Sequence, residues 1–124
     1  MKRMVAALFL AVIAVPVSAA PGDMSVAAFL AKADALRAKG PMALFSSDIS
    51  VLRSEATAGG RAYRARLATE RAHGTPSSCP PARSSMNQQI LMAHLHSYPA
   101  AARAHTSMTT AMADWFVRTY PCPR

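Results

Sequence analysis

Three groups of residues in this 124-residue chain have side chains capable of chemistry. The first is Cys79 and Cys122, the only two cysteines. Two thiols can hold a metal, exchange disulfides or form one. The first two uses normally rest on C-x-x-C spacing, which is absent here. The second group is Met86, Met92, His94 and His96, thioether and imidazole donors of the kind that bind copper. On a helix, however, His94 and His96 lie about 200° apart and cannot grip one ion, and methionine is a common core filler. The third group is Arg53, Arg61, Arg64, Arg66 and Arg71, whose planar forks suit carboxylates and phosphates. No G-x-S-x-G elbow is present, and the carboxylates Asp23, Asp34, Asp48, Glu55, Glu70 and Asp114 are scattered rather than paired. These residues predict a protein that is not an enzyme, with no catalytic residue, no metal ligand and no cofactor.

The start of the chain decides which chemistry the cysteines meet. Lys2 and Arg3 precede an uncharged apolar run from Met4 to Val17, and Val17-Ser18-Ala19 supplies small residues for cleavage. That layout predicts a signal peptide over residues 1–19, too short in its apolar part to anchor in a bilayer. The expected product is a single domain over residues 20–124, periplasmic or secreted and not membrane-spanning. In such a compartment an even pair of cysteines reads as one disulfide. Without Lys2 and Arg3, 12 basic and six acidic residues leave a net charge of +6. Outside the cytoplasm the polyanions within reach are headgroups, wall polymers and acidic proteins, so no nucleic-acid partner is expected.

Alanine occurs 27 times, whereas residues 20–124 hold only Val26, Ile49, Val51, Ile90 and Val117 as valine or isoleucine. That balance predicts an all-α fold, a small bundle of about four helices with one disulfide. The first helix is expected over Val26–Lys39, capped by Ser25 and stopped by Gly40-Pro41. Pro41 to Phe45 reads as a short helical turn that delivers Leu44 and Phe45 to the core. Ser47 or Asp48 opens a long helix to His73, expected to bend or loosen at Gly59-Gly60. After a Pro-rich loop, Ser85-Met86-Asn87-Gln88 matches a capping box for a third helix ending at Tyr98-Pro99. The last helix, Ser107–Thr119, aligns Met108, Ala111, Met112, Trp115, Phe116 and Thr119 on one face. Trp115 is expected to pack with Met112, Phe116 and the stripe at Phe29, Leu30 and Leu36.

Three features stand out from Cys79 onward: Cys79-Pro80, a helix ending at Tyr98-Pro99, and an alanine-containing helix closing on Tyr120-Pro121-Cys122. Over residues 79–124 this resembles the Rap/Tai immunity-protein family, small exported helical proteins that protect bacteria from type VI secretion amidase toxins delivered to the periplasm. The shared features are a disulfide frame and two helices. The further cysteines frequent in that family are absent, and no stretch matches an inhibitory loop. The N-terminal half, with Phe29-Leu30, Gly40-Pro41 and Leu44-Phe45-Ser46-Ser47-Asp48, resembles other exported bacterial proteins. The resemblance implies an immunity-type inhibitor that covers the active site of a periplasmic amidase toxin. The charge supports an alternative, an envelope-associated structural protein holding anionic wall or lipid groups. In either case Arg61, Arg64 and Arg71 are the expected partner-binding residues.

Overall fold

Ser25 begins the first helix, as its spacing predicts. Its backbone is extended and its hydroxyl accepts the Ala28 amide at 3.0 Å, which satisfies one of the helix's unpaired donors. The computed structural model describes residues 20–124, and the expected signal peptide lies outside them. Helix α1 spans Val26–Ala38 and stops at Gly40, whose φ of +57° ends the right-handed path. A 3₁₀ turn, Gly40–Phe45, leads to α2, Asp48–Ala72. Helices α3, Gln88–His96, α4, Ala100–Arg103, and α5, Met108–Thr119, complete the chain. All elements among the described residues are helical, as the composition predicts.

Helix α2 runs for 25 residues without a break, so the expected loosening at Gly59-Gly60 does not occur. The reason is a close approach to α5. A Cβ on Gly59 would lie 3.0 Å from the Met108 carbonyl oxygen and 3.0 Å from Met112 Cγ. Gly59 gives up helix propensity and lets the α2 backbone approach the first turn of α5, whereas a Cβ on Gly60 would meet only Met112 Cε, in ordinary contact at 3.6 Å. Neither Ser47 nor Asp48 caps this helix through its side chain; Ser46 Oγ takes the Asp48 amide at 3.3 Å. Its far end closes with Gly74 N–H on the Arg71 carbonyl and Thr75 N–H on the Glu70 carbonyl, a Schellman arrangement.

The start of α3 also differs from expectation. Asn87, not Ser85, is the cap, accepting the Ile90 amide at 2.8 Å. Starting two residues later leaves Met86 in the loop, where it packs half-buried against the Tyr63–Trp115 cluster. The Ala100–His105 link holds the short α4. Arg103 donates to the Tyr98 and His96 carbonyls at 2.9 Å each and so satisfies the C-terminal end of α3.

The core has two parts. Val26, Phe29, Leu30, Leu52, Leu95, Met108 and Ala111 form the first. Tyr63, Leu67, Met112, Ala113, Trp115 and Phe116 form the second, with Leu91 packed against both. The stripe on α5 is therefore divided: its first turn meets α1, while Trp115 and Phe116 meet the second half of α2. Trp115 does not share a cluster with Phe29, Leu30 and Leu36, because the 13-residue α1 covers only the first half of the longer α2.

Two clasps close the ends. Glu55 accepts the Gly22 and Met24 amides at 2.6 and 3.3 Å, and Met108 N–H reaches the Met24 carbonyl at 2.8 Å. At the other end Tyr63, only 1% exposed, bonds through its hydroxyl to Ser77 and Ser78. Cys79 and Cys122 are disulfide-bonded, and Cys79 N–H meets the Tyr120 carbonyl at 2.7 Å. The Pro-rich loop is thereby tied to the end of α5. Among the described residues no helix is long and apolar enough to cross a membrane.

Candidate functional site

The unbroken α2 places Arg53, Arg64 and Arg71 near one line, with Arg61 about 60–80° to the side. The expected trio Arg61, Arg64 and Arg71 is not equally available. Arg64 Nη2 donates to Ser84 O and Oγ, both at 3.0 Å, and its guanidinium lies 5.3 Å from the Phe116 ring centre. It fastens the loop before α3 and lids the second core cluster. Arg66 is likewise engaged, 3.5 Å from Glu70 and 4.9 Å from the Tyr63 ring centre. Arg53, Arg61 and Arg71 are exposed and make no side-chain hydrogen bond or ion pair among the described residues. Arg53 and Arg61 share a shallow concavity with Pro21, Ser54 and Thr57. Glu55 accepts the Gly22 and Met24 backbone amides and forms no ion pair with the row. The free row is thus Arg53, Arg61 and Arg71; Arg53 was recognisable from its shared helix line.

Beside this row an open groove of about 610 Å³ runs over α2 between α1 and α3. Phe29, Leu36, Leu52 and Leu91 line it with Met86 and Met92, and Arg37 and Arg53 contribute guanidiniums. The candidate copper residues are consequently dispersed. Met86 and Met92 face the groove, His96 is exposed, and His94 is buried at 9% exposure. Among the described residues no three His, Cys, Asp or Glu side chains converge as a metal-holding group.

A polar network absent from the sequence-based expectations joins α3 to α5. His94 Nε2 lies 2.7 Å from the Ala111 carbonyl, and the Tyr98 hydroxyl donates to Asp114 Oδ2. A carbonyl only accepts, so Nε2 carries a proton in this bond. Burial lowers the His94 pKa below 6.5; the bond to Ala111 and the Asp114 charge oppose this, and Arg118 adds to it. Burial, then the bond to Asp114, pushes the Tyr98 hydroxyl up. The unfolded chain therefore takes up a proton at His94 before the folded one does. Stability is fully present above about pH 6.5 and falls as pH drops from there through the lowered folded value. The melting temperature should decline on going from pH 7.5 to 5, and His94→Gln should flatten that decline. Parallel curves for both proteins would contradict the assignment.

Against this geometry, no family model, no curated protein and no solved structure matches the chain.

Proposed function

We propose that the chain is an exported, non-enzymatic binding protein of immunity type, which covers the active site of a periplasmic amidase toxin. The observation that carries this reading is the row of free guanidiniums at Arg53, Arg61 and Arg71 on one continuous 25-residue helix. From Arg53 to Arg71 the row is about 27 Å long, enough to cross a substantial part of a protein interface. A helix held by two core clusters and a disulfide loses little freedom on association. Its cations attract an acidic surface over several ångströms of solvent and raise the encounter rate. The disulfide frame over residues 79–124 and its resemblance to the immunity family add support, as does the apolar leader that directs export.

Tagged protein should be recovered from the periplasm with its N-terminus at Ala20 and should carry its partner with it. The triple variant Arg53→Glu, Arg61→Glu, Arg71→Glu should associate with that partner at least tenfold more slowly at low salt. Its helical circular dichroism should match the parent's. Arg64 is left intact because its bonds to Ser84 are structural. A variant that binds as fast as the parent would assign the row to solvation. Deletion that leaves cells no more sensitive to periplasmic amidase toxins would sink the immunity reading.

A further inference from the structure

The turn between α1 and α2 contradicts its expected burial. Met42, Leu44 and Phe45 are 65, 80 and 84% exposed. Among the described residues the next most exposed large apolar side chain, Ile90, reaches only 41%. Three such groups held in water forgo the stabilisation that burial supplies, so packing among the described residues does not account for them. Nor is the segment slack. Gly40 reverses the chain at φ +57°, Pro41 limits the next step, and Ser46 N–H closes on the Ala43 carbonyl at 3.0 Å.

Charge at the base of this projection is positive. The Lys39 ammonium reaches across it to Ser46 Oγ at 3.5 Å, and Arg37 is exposed on the last turn of α1. Of the nearby carboxylates, Asp48 is taken by Lys32 at 3.3 Å, and Asp34 lies a turn further back on α1. The order outward is thus a cationic collar followed by an apolar tip. A bilayer with anionic lipids presents the complementary order, headgroup phosphates outside hydrocarbon. A second copy of the chain would instead set collar against collar, in a protein whose residues 20–124 carry +6. A projecting tip also suits a yielding medium better than a folded protein face, which would need a matching pocket.

We propose that the Gly40–Phe45 turn docks the protein reversibly on an anionic membrane surface. Met42, Leu44 and Phe45 enter the acyl boundary, while Lys39 and Arg37 remain among the headgroups. Insertion of about 5–10 Å is within reach of a six-residue 3₁₀ turn. The turn shares a groove with Arg53 but not with Arg61 or Arg71, and the proposal does not depend on the immunity reading.

The test uses protein comprising residues 20–124, which contains every described helix and both core clusters, and vesicles of phosphatidylcholine alone or with one quarter phosphatidylglycerol. The parent should sediment with the anionic vesicles at least tenfold more strongly than with the neutral ones. Leu44→Ser with Phe45→Ser should lose at least tenfold of that binding, with unchanged circular dichroism because both side chains already face water. Lys39→Gln should weaken binding to anionic vesicles and leave the weak neutral binding unchanged. Absence of binding by the parent, or a double variant that binds equally well, would overturn the proposal. So would equal binding to both vesicle types. Concentration-dependent dimerisation abolished by the double variant, without vesicle binding, would assign the turn to a second copy and also overturn it.

Discussion

Replacing both Cys79 and Cys122 with serine should destabilise the protein by about 4 kcal/mol. The disulfide joins residues 43 apart in sequence, and closing a loop of that size removes this much entropy from the unfolded chain in the chain-entropy model. A domain of this size typically has roughly 5–10 kcal/mol in total, so the loss is a large share. The melting temperature should fall by about 16–30 °C. What remains at that end is the Cys79–Tyr120 backbone bond and the hydroxyl contacts of Tyr63 with Ser77 and Ser78. These fix the loop only once α2 and α5 are already together. Urea unfolding with and without reductant gives the measurement. A change below about 1 kcal/mol would mean that the unfolded chain is already restrained near these residues.

How far the residues themselves announce this architecture depends on the kind of signal each carries. The stripe on α5 is legible because Met108 to Phe116 repeats at helical spacing, and burial follows that repeat. The cysteine pair is legible because only one pairing exists. The division of the core is not, since periodicity says which face is apolar and nothing about which neighbour covers it. Gly59 is ambiguous for a related reason: propensity registers its cost locally, whereas its benefit is contact with Met108, 49 positions later. Ser85 satisfies a local capping pattern that loses to Asn87, because placing Met86 against the second cluster requires the chain to stay extended there. Leu44 and Phe45 mislead because apolar character is read as burial. Their setting between Gly40-Pro41 and Ser46-Ser47, with no helical repeat, was the available warning. Of the arginines, exposure and spacing reveal the row, but only the fold shows that Arg64 is a clasp rather than a contact.

Trp115→Ala should cost about 3–5 kcal/mol, the range for removing a large buried aromatic. Trp115 is 8% exposed, and its ring meets those of Phe116 and Tyr120 edge-on, with centres 5.1 and 5.6 Å away. Phe116 in turn stacks on Tyr63 at 4.9 Å. The truncation therefore opens a void between the second half of α2 and the end of α5, while leaving α1 and its cluster in place. Because Trp115 is the sole tryptophan, its fluorescence reports this environment without interference. Native emission should be blue-shifted and shielded from quencher, and red-shifted, readily quenched emission would refute the burial. Phe45→Ala provides the internal comparison. It also removes an aromatic ring, yet from a site 84% exposed, and should change stability by no more than about 0.5 kcal/mol. A Phe45→Ala loss approaching that of Trp115→Ala would show that the turn is held against the body of the protein in solution, and would remove the tip from any external role.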